Sequence, residues 1–306
     1  MIVCCGEALI DMLPRKLPDG TDVFLPVSGG AIFNTAIALG RLGSDIGFFS
    51  GISTDMFGEQ LVKSLSASNV DINFVRRLDH PTTMAFVKLV DGHAEYSFYD
   101  ENTAGRLLEV QHLPDFNDSV TALHFGAISL IPEPCGHAYE SLMAKEHTKR
   151  VISFDPNIRP GFITDEQKYR ARINRMLAMA DIIKVSDEDL KWLEPDLDAD
   201  DVAKKWLDAG AAIILITKGS KGARAISSSH VVDVPSRKVE VVDTVGAGDS
   251  FNAGFLHSLS TSGALDKRAL KYLLLKTVEA ALNLASDVAA ATVSKAGTDS
   301  PWFRDL

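Results

Sequence analysis

Residues 243–254 read DTVGAGDSFNAG, and this stretch carries more information than any other part of the 306-residue chain. A strand-like apolar run at Val239–Val242 leads into small residues, and an apolar pattern of helical period follows. Small residues at a helix start leave backbone N–H groups open to a close-lying anion, and the helix dipole adds to the attraction. The segment therefore predicts a phosphate-binding site, with Asp249 in or beside the first helical turn.

Asp249 has two interpretations. It could act as the base for an attacking alcohol, or it could simply stabilise the start of its helix. A first-turn Asp should have a lowered pKa, which makes it a weak base. In a loose phosphoryl-transfer transition state, however, the alcohol keeps its proton until late, so orientation matters more than basicity. The residue chemistry alone leaves both interpretations open.

Other nucleotide motifs do not fit the chain. A dinucleotide fingerprint needs a third glycine where Phe251 stands. The sequence contains no Gly-Lys dipeptide, so it has no Walker A loop, and the protein-kinase signature set is absent.

Outward from this segment, short apolar runs rich in β-branched residues alternate with longer helical patterns. The predicted strands are Ile2–Cys5, Ile46–Ser50, Ala122–Phe125, Val151–Phe154, Ile182–Val185 and Ala212–Thr217. The predicted helices are Ile32–Leu42, Phe57–Ser66, Cys135–Glu146, Glu166–Met179, Ala199–Ala209, Ala247–Ser260 and Lys267–Leu284. This order predicts a mostly parallel sheet between two layers of helices, with ligands at the carboxyl ends of the strands.

Two extended segments interrupt this alternation. Leu13–Val27 and Thr82–Tyr99 have strand patterns without a helix between the strands, and Asp91-Gly92 is a strong hairpin signal. Together they predict a small sheet outside the main one, formed by about 12–28 and 82–104. A lid that excludes water from the active site is the functional interpretation, and an edge extension of the core is the structural one.

The bulk composition narrows the class of protein. The net charge of −10 argues against a nucleic-acid partner, which would require a surplus of Lys and Arg. Three cysteines (Cys4, Cys5 and Cys135) make neither a disulfide framework nor a zinc site, so a reducing cytoplasmic compartment is expected. No signal peptide is recognisable, and no apolar run approaches the roughly 20 residues that span a bilayer.

The stretch DTVGAGDSFNAGF resembles the second signature of the ribokinase-like (PfkB) sugar kinase family. Residues 29–36, GGAIFNTA, followed by ALGRLG, resemble its first signature, and GEALIDM, DPNIRP and TKGSKGA resemble further family blocks in the family's order. The resemblance covers essentially the whole chain. It implies a single ribokinase-like domain over 1–306, an α/β/α fold with a β lid, and ATP with Mg²⁺ as phosphoryl donor. It also implies that Asp249 is the catalytic base and that the amides of Gly246, Ala247 and Gly248 form the anion hole.

On the sugar side, the paired glycines Gly29 and Gly30 would let a ligand lie against the backbone, and Asn34 offers a donor and an acceptor. A tight turn and a buried helix-capping amide are the structural alternative. The resemblance favours sugar binding by these residues. It also favours sugar binding by Asp11, whose alternative role is that of an ordinary polar residue at a strand end.

Arg159 belongs to the block DPNIRP, which resembles the family's D-x-N-x-R element. As a fixed charge it could reach the transferring phosphate or a sugar oxygen. A salt bridge with Asp155 is the structural alternative. Asp155 and Asn157 could serve only to shape the loop.

On the nucleotide side, Thr217, Gly219 and Gly222 lie in TKGSKG, which resembles the family's nucleotide loop. A hairpin turn into Ala223–Ser227 is compatible with that role. Further expected contacts to ATP are those of Gly246 and Gly248 and of the set Lys184, Ser186 and Asn283; an exposed helix position is the alternative for Asn283.

The metal shell departs from the family pattern. Relatives often carry N-x-x-E beside the phosphates, whereas residues 186–189 read SDED here. Asp189 would reach Mg²⁺ through water, and Ser186 with Asp189 could also form a helix capping box. Asp243 matches the aspartate beside which some relatives hold a monovalent cation, so potassium is a further candidate.

The substrate expectation rests on two further observations. GEALIDM is most like the fructokinase branch, and Asp100 stands where several fructokinases and ketodeoxygluconate kinases carry an Arg. Charge repulsion by Asp100 would disfavour an anionic sugar, so a neutral sugar such as fructose is expected. A ketodeoxygluconate kinase, a ribokinase, a nucleoside kinase and a non-catalytic sugar or nucleotide sensor are the alternatives. The lid could also carry a homodimer contact.

Overall fold

The computed structural model describes residues 1–90 and 93–306, and only the backbone of 88–90 and 93–96. The predicted Asp91-Gly92 turn lies outside the described residues. The strands are, in chain order, β1 (Ile2–Cys5), β2 (Leu9–Lys16), β3 (Asp22–Gly29), β4 (Ile46–Phe49), β5 (Gly51–Ser53), β6 (Arg76–Leu78), β7 (Met84–Val90), β8 (His93–Tyr99), β9 (Ala122–Gly126), β10 (Val151–Asp155), β11 (Ile182–Ser186), β12 (Ile213–Thr217), β13 (Ala223–Ser227) and β14 (Val231–Val234).

The α-helices of the described residues are α1 (Ala31–Arg41), α2 (Met56–Ala67), α3 (Cys135–Glu146), α4 (Glu166–Leu177), α5 (Asp187–Leu193), α6 (Ala199–Asp208), α7 (Ala247–Thr261) and α8 (Leu275–Val293). None of these helices has the length and apolar character needed to cross a membrane.

The central sheet has the strand order β14-β13-β12-β11-β10-β9-β1-β4. All pairs from β12 to β4 are parallel, and only the β12–β13 and β13–β14 pairs are antiparallel. The predicted mostly parallel sheet is confirmed. The carboxyl ends of β1, β9, β10, β11 and β12 therefore lie along one edge, where the ligand-binding loops are expected.

Alternating residues of each strand face opposite layers of helices. In β1, Ile2 and Cys4 pack in one core with residues of α1, α2, α7 and α8. Val3 and Cys5 point to the other core, which contains residues of α3, α4, α5 and α6. Because parallel strands are buried on both faces, they read as continuous apolar runs, which explains why they were recognisable from the sequence.

The second sheet has the order β3-β2-β7-β8, in which β2 and β7 are parallel and the two hairpins are antiparallel. Three residues separate the end of β1 from the start of β2, and β3 ends next to the start of α1. This is the predicted small sheet outside the main one, called the lid sheet below after its proposed role. A separate two-stranded sheet pairs β5 with β6.

Three sequence-based predictions differ from the structure. The run Val239–Val242 is not a strand: Val241 is 59% exposed, and the N–H of Val242 donates at 2.8 Å to Val293 O at the end of α8 and not to a neighbouring strand. The predicted helix Lys267–Leu284 splits into a 3₁₀ turn at Ala269–Tyr272 and α8, because Leu273 and Leu274 between them have ψ values of 124° and 144°, which are not helical. Helix α5 was not among the predicted helices.

Candidate functional site

The loop before α7 has the backbone geometry that its glycines indicate. Gly246 is the N-cap of α7 and has a φ of 78°, a left-handed conformation that a residue with a Cβ adopts only with strain. A Cβ at Gly246 would also lie 3.2 Å from Cγ2 of Thr298. The first backbone N–H groups of α7 have no acceptor within the helix, and that of Ala247 makes a long hydrogen bond of 3.4 Å to Thr244 O, so the start of the helix with its dipole can bind an anion.

Asp249 lies in the first turn of α7 and is almost fully buried. Asn34 Nδ2 of α1 donates to Asp249 Oδ2 at 2.9 Å, and Thr35 Oγ1 donates to the backbone oxygen of Asp249 at 3.3 Å. Two residues separated by 215 positions are thus joined where α1 packs on α7. The structure brings together the two signature segments of the sequence.

The expectation of a lowered pKa for Asp249 is wrong. Burial raises the pKa of this carboxyl to about 7, and the nearby charges of Asp155 and Glu7 act in the same direction. The hydrogen bond from Asn34 and the charge of Lys184 lower the pKa but do not compensate for the burial. A carboxyl with a pKa near neutrality is a better proton acceptor than an ordinary aspartate.

A buried ion pair lies beside the start of α7. Lys184 Nζ donates to Asp155 Oδ2 at 2.9 Å, and Asn252 Nδ2 donates to the same oxygen at 2.7 Å. Burial opposes the charge of Lys184, but its attraction to Asp155 and Asp189 outweighs this and raises the pKa of the ammonium group. A Cβ at Gly248 would lie 3.1 Å from Lys184 Nζ, so a fixed positive charge borders the candidate anion hole.

Asn252 was not singled out from the sequence. It lies three residues after Asp249 in the quoted segment, so both side chains project from adjacent positions on one face of α7. That spacing was the available signal. The partner of Asp155 is thus Lys184 and not Arg159, which was the structural alternative considered from the sequence.

Arg159 itself is exposed, and its guanidinium Nη1 donates to the backbone oxygen of Ile158 at 3.0 Å. The loop that carries it is fixed at Asp155, whose Oδ1 accepts the N–H of Asn157 at 3.1 Å, and at Asp189, whose Oδ1 accepts the N–H of Ile158 at 2.9 Å. Arg159 therefore lies exposed on a well-anchored loop that follows β10.

On the sugar side, Asp11 of the lid strand β2 lies against Gly29. A Cβ at Gly29 would lie 2.1 Å from Asp11 Oδ2, so only glycine leaves room for this carboxylate. Burial raises the pKa of Asp11 to about 6. Gly30, with a φ of 108°, packs in the same way against the backbone of Glu7.

Glu7 is a buried residue that the sequence analysis did not single out. It follows β1, and its carboxylate accepts the N–H groups of Ile32 at 3.3 Å and Ser129 at 3.4 Å. Its position directly after a buried strand, within GEALIDM, was the available signal.

The residues at 186–189 form the capping box that the sequence indicated. Ser186 Oγ accepts the N–H of Asp189 at 3.0 Å, and Asp189 Oδ2 accepts the N–H of Ser186 at 3.2 Å. Both oxygens of Asp189 are therefore occupied by backbone donors. Within residues 1–90 and 93–306, no group of three or more His, Cys, Asp or Glu side chains could hold a metal ion.

The TKGSKG segment forms the hairpin between β12 and β13. Lys218 N–H donates to Gly222 O at 2.8 Å, and Gly219 and Gly222 have φ values of 53° and 97°. Thr217 is the last residue of β12, with its Oγ1 3.5 Å from Val185 O. The hairpin lies at the ligand-binding edge of the sheet next to β11, which ends at Ser186.

Asn283 and Asp243 each have partners in the structure. Asn283 is partly exposed on α8 and accepts a hydrogen bond from Arg237 Nη2 at 2.9 Å. Asp243 accepts the N–H of Val245 and the N–H of Gly297, both at 3.0 Å. Asp243 thus ties the loop before α7 to the segment after α8.

A cavity of about 340 Å³ lies beside Glu7. Its walls come from the end of β1, the lid and the loops after β9 and β10; among them are Glu7, Phe98, Asp100, Arg106, Ser129 and Phe162. The rings of Phe98 and Phe162 meet edge to face with centroids 4.4 Å apart and form part of the cavity wall on the lid side.

Comparison with known proteins agrees with this geometry. Residues 1–304 match the model of the pfkB family carbohydrate kinases. A fructokinase of Rhizobium leguminosarum bv. trifolii is 56% identical over 273 residues, which cover 89% of this chain and 84% of that protein. The structure of fructokinase with bound ATP from Xylella fastidiosa has a TM-score of 0.87 at 29% identity and covers 100% of this chain and 94% of its own.

A fructokinase from Vibrio cholerae O395, in a form with bound fructose, ADP and calcium ion, has a TM-score of 0.85 at 27% identity, covering 97% of this chain and 94% of its own. The match of the family model over nearly the whole length agrees with the two joined signature segments. The chain therefore belongs to the pfkB family of carbohydrate kinases.

Proposed function

We propose that this carbohydrate kinase transfers the γ-phosphoryl group of ATP to a hydroxyl of fructose. The observation that carries the proposal is Asp249, a buried carboxyl with a pKa of about 7 that Asn34 orients beside the start of α7. The 56% identical relative is a fructokinase, which favours fructose among neutral sugars.

In the proposed reaction, the sugar hydroxyl oxygen forms a bond to the γ-phosphorus while the bond to the β,γ-bridging oxygen breaks. The hydroxyl proton moves to the carboxylate of Asp249, and ADP leaves with the bridging oxygen. Asn34 holds that carboxylate in position, so the reacting oxygen meets a fixed acceptor. Orientation of this kind is the main contribution that a protein makes to phosphoryl transfer.

The amides of Gly246, Ala247 and Gly248 form the proposed anion hole for the moving phosphoryl group. Lys184 adds a fixed positive charge next to Gly248, and Asp155 with Asn252 keeps its ammonium in place. Preorganised donors stabilise negative charge that develops in the transition state without having to reorient.

The sugar is proposed to bind between the lid and α1. Asp11 and Asn34 accept and donate hydrogen bonds to its hydroxyls, Gly29 and Gly30 give it room, and Arg159 at the rim reaches a sugar oxygen or the phosphate. The closeness of Gly29 to the carboxylate of Asp11 supports this placement.

The nucleotide is proposed to lie along the ends of β11 and β12. Its binding residues are Lys184, Ser186, Thr217, Gly219, Gly222, Gly246, Gly248 and Asn283. Mg²⁺ would neutralise phosphate charge, and Asp189, whose two oxygens each accept one backbone N–H, would reach it through a water that donates to a remaining lone pair. Asp243 is the proposed neighbour of a potassium ion.

We propose one kinase domain over 1–306 with its lid at about 12–28 and 82–104, working in the cytoplasm, where its three free, buried thiols would stay reduced. A homodimer through the lid is proposed on the outer lid face, where Phe86 lies between Phe24 and Tyr99 with ring centroids 5.2 and 5.3 Å away. Phe24 and Tyr99 are both exposed there.

The test measures ADP release with ATP and Mg²⁺ against fructose, ketodeoxygluconate, ribose and adenosine, with and without potassium. Asp249→Asn is the matched control, because it keeps the shape of the side chain and removes the base. Fructose-dependent turnover that is lost in the variant supports the proposal. A preference for another acceptor would replace fructose as the substrate, and sugar binding without turnover would indicate a sensor.

A further inference from the structure

The charged groups of the 340 Å³ cavity are arranged in an unexpected way. From the sequence, Asp100 was expected to disfavour an anionic sugar through charge repulsion. In the structure Arg106 Nη1 donates to Asp100 Oδ1 at 3.0 Å, and both residues line the cavity. Among the residues that the structure describes, the other charged side chain of the lining is Glu7, whose two oxygens accept backbone N–H groups.

The pair is held by a structured turn. Thr103 Oγ1 accepts a hydrogen bond from Thr83 Oγ1 at 2.8 Å and donates to Asp100 O at 2.9 Å. Arg106 Nε also donates to Glu133 O at 3.4 Å, while the carboxylate of Glu133 is paired with Arg172 and Lys168. Asp100 is therefore the carboxylate that neutralises Arg106.

The cavity adjoins the proposed sugar site. In the lid sheet Asp11 is paired with Ala85, and Ala85 with Phe98, so Asp11 and Phe98 lie on the same face of the lid. Gly30, at the start of the helix that carries Asn34, packs against Glu7 in the cavity wall. In the proposed complex, the sugar carbons remote from the reacting hydroxyl lie along this wall.

We propose that the Asp100–Arg106 ion pair determines the substrate class: it keeps a guanidinium in the sugar cavity neutralised, so that neutral sugars bind and sugar acids do not. With Asp100 removed, Arg106 offers a free planar pair of N–H donors that suits a carboxylate. The cavity then accepts a six-carbon sugar acid. This inference rests on the proposed sugar kinase function and specifies which residues of the site select between neutral sugars and sugar acids.

The test compares wild type, Asp100→Asn and the double variant Asp100→Asn/Arg106→Gln, with Asp115→Asn as control because its pair with Lys145 lies on the surface. Turnover and calorimetric binding are measured with fructose and with ketodeoxygluconate. We expect the ratio of acid to fructose, in kcat/KM and in affinity, to rise about tenfold or more in Asp100→Asn, the range for a hydrogen bond to a charged group. The double variant should return it to the wild-type value.

An unchanged ratio in Asp100→Asn, or an equal gain in the double variant, would overturn the inference. Thermal melting confirms that each variant is folded, and Asp100→Ser provides a second removal of the carboxylate. Wild-type turnover of fructose separates the two proposals. If it is present while the ratio stays fixed, only the inference fails. If it is absent while Asp100→Asn gains affinity for the acid, only the proposed substrate fails.

Discussion

Replacement of Asp249 by asparagine should remove activity and at the same time make the folded protein more stable at neutral pH. The carboxyl has a pKa of about 7 in the folded protein against an ordinary value of 3.8. At about 1.4 kcal/mol per pKa unit, ionising it in the folded state costs roughly 4 kcal/mol. Asparagine avoids this cost, and its side-chain oxygen can still accept the hydrogen bond from Asn34.

The raised pKa of Asp249 also fixes the direction in which stability changes with pH. Between about pH 4 and 7 the folded carboxyl keeps a proton that the unfolded chain has released, so wild-type stability falls as pH rises through this window. The variant has no such group. Its advantage in free energy of unfolding should therefore grow by about 2 to 3 kcal/mol between pH 5 and pH 8, and should level off above about pH 7.

Urea unfolding at several pH values measures this difference, and the same change should appear as about 4 °C in melting temperature. Turnover is measured in parallel: loss of a general base lowers kcat by roughly 10²- to 10⁴-fold. Wild-type kcat/KM should rise with pH to a plateau above about 7. A stability difference that does not change with pH would refute the burial argument, and a fully active variant would refute the assignment of the base.

Three further predictions concern the neighbours of Asp249. Lys184→Met should lower kcat by about 10²-fold or more with little change in KM for fructose, because one fixed donor to the phosphoryl group is lost; steady-state kinetics measure this, and a change in KM alone would contradict it. Gly29→Ala places a Cβ 2.1 Å from Asp11 Oδ2, so the carboxylate must move away from its proposed contact with the sugar. Loss of a hydrogen bond to a charged group should raise KM for fructose about tenfold or more. An unchanged KM would show that Asp11 does not contact the sugar. Because burial raises the pKa of Asp11 to about 6, fructose affinity measured by calorimetry should improve as pH rises through about 6 and the carboxylate becomes a pure acceptor, and this dependence should vanish in Asp11→Asn.

The sequence predicts local structure well wherever the apolar residues of a buried element follow a clear strand or helix pattern. The bounds of β1 and α3 agree with the prediction at every residue, and the small residues of 246–248 begin the helix as expected. The apolar run Val239–Val242 fails because its alternation lacks a neighbouring strand edge to pair with. Periodicity reports what a segment could form, and the tertiary structure decides whether a partner exists.

Properties that depend on contacts between distant segments were not predictable from the sequence. The pKa of Asp249 follows from the packing of α1 on α7, across 215 residues, and a local rule for first-turn aspartates gave the opposite direction. The charge of Asp100 was misjudged for a similar reason. Its partner Arg106 is only six residues away, but the turn that brings them together depends on Thr83 in the lid.

The buried charges next to Asp249 raise the question of why the chain keeps them. Asp155 and Lys184 are both nearly inaccessible, and desolvating such a pair commonly costs as much as its attraction returns. An apolar pair would fill the same volume with less cost, but it would leave the anion hole without its fixed cation and the Arg159 loop without its anchor at Asn157. Burial and the charge of Asp155 raise the pKa of Asp249, and the charge of Lys184 lowers it. The two charges of the pair thus act in opposite directions on a pKa that lies at about 7. The chain thus accepts the cost in stability of a buried ion pair at the residues that supply the charge and fix the geometry of the reacting groups.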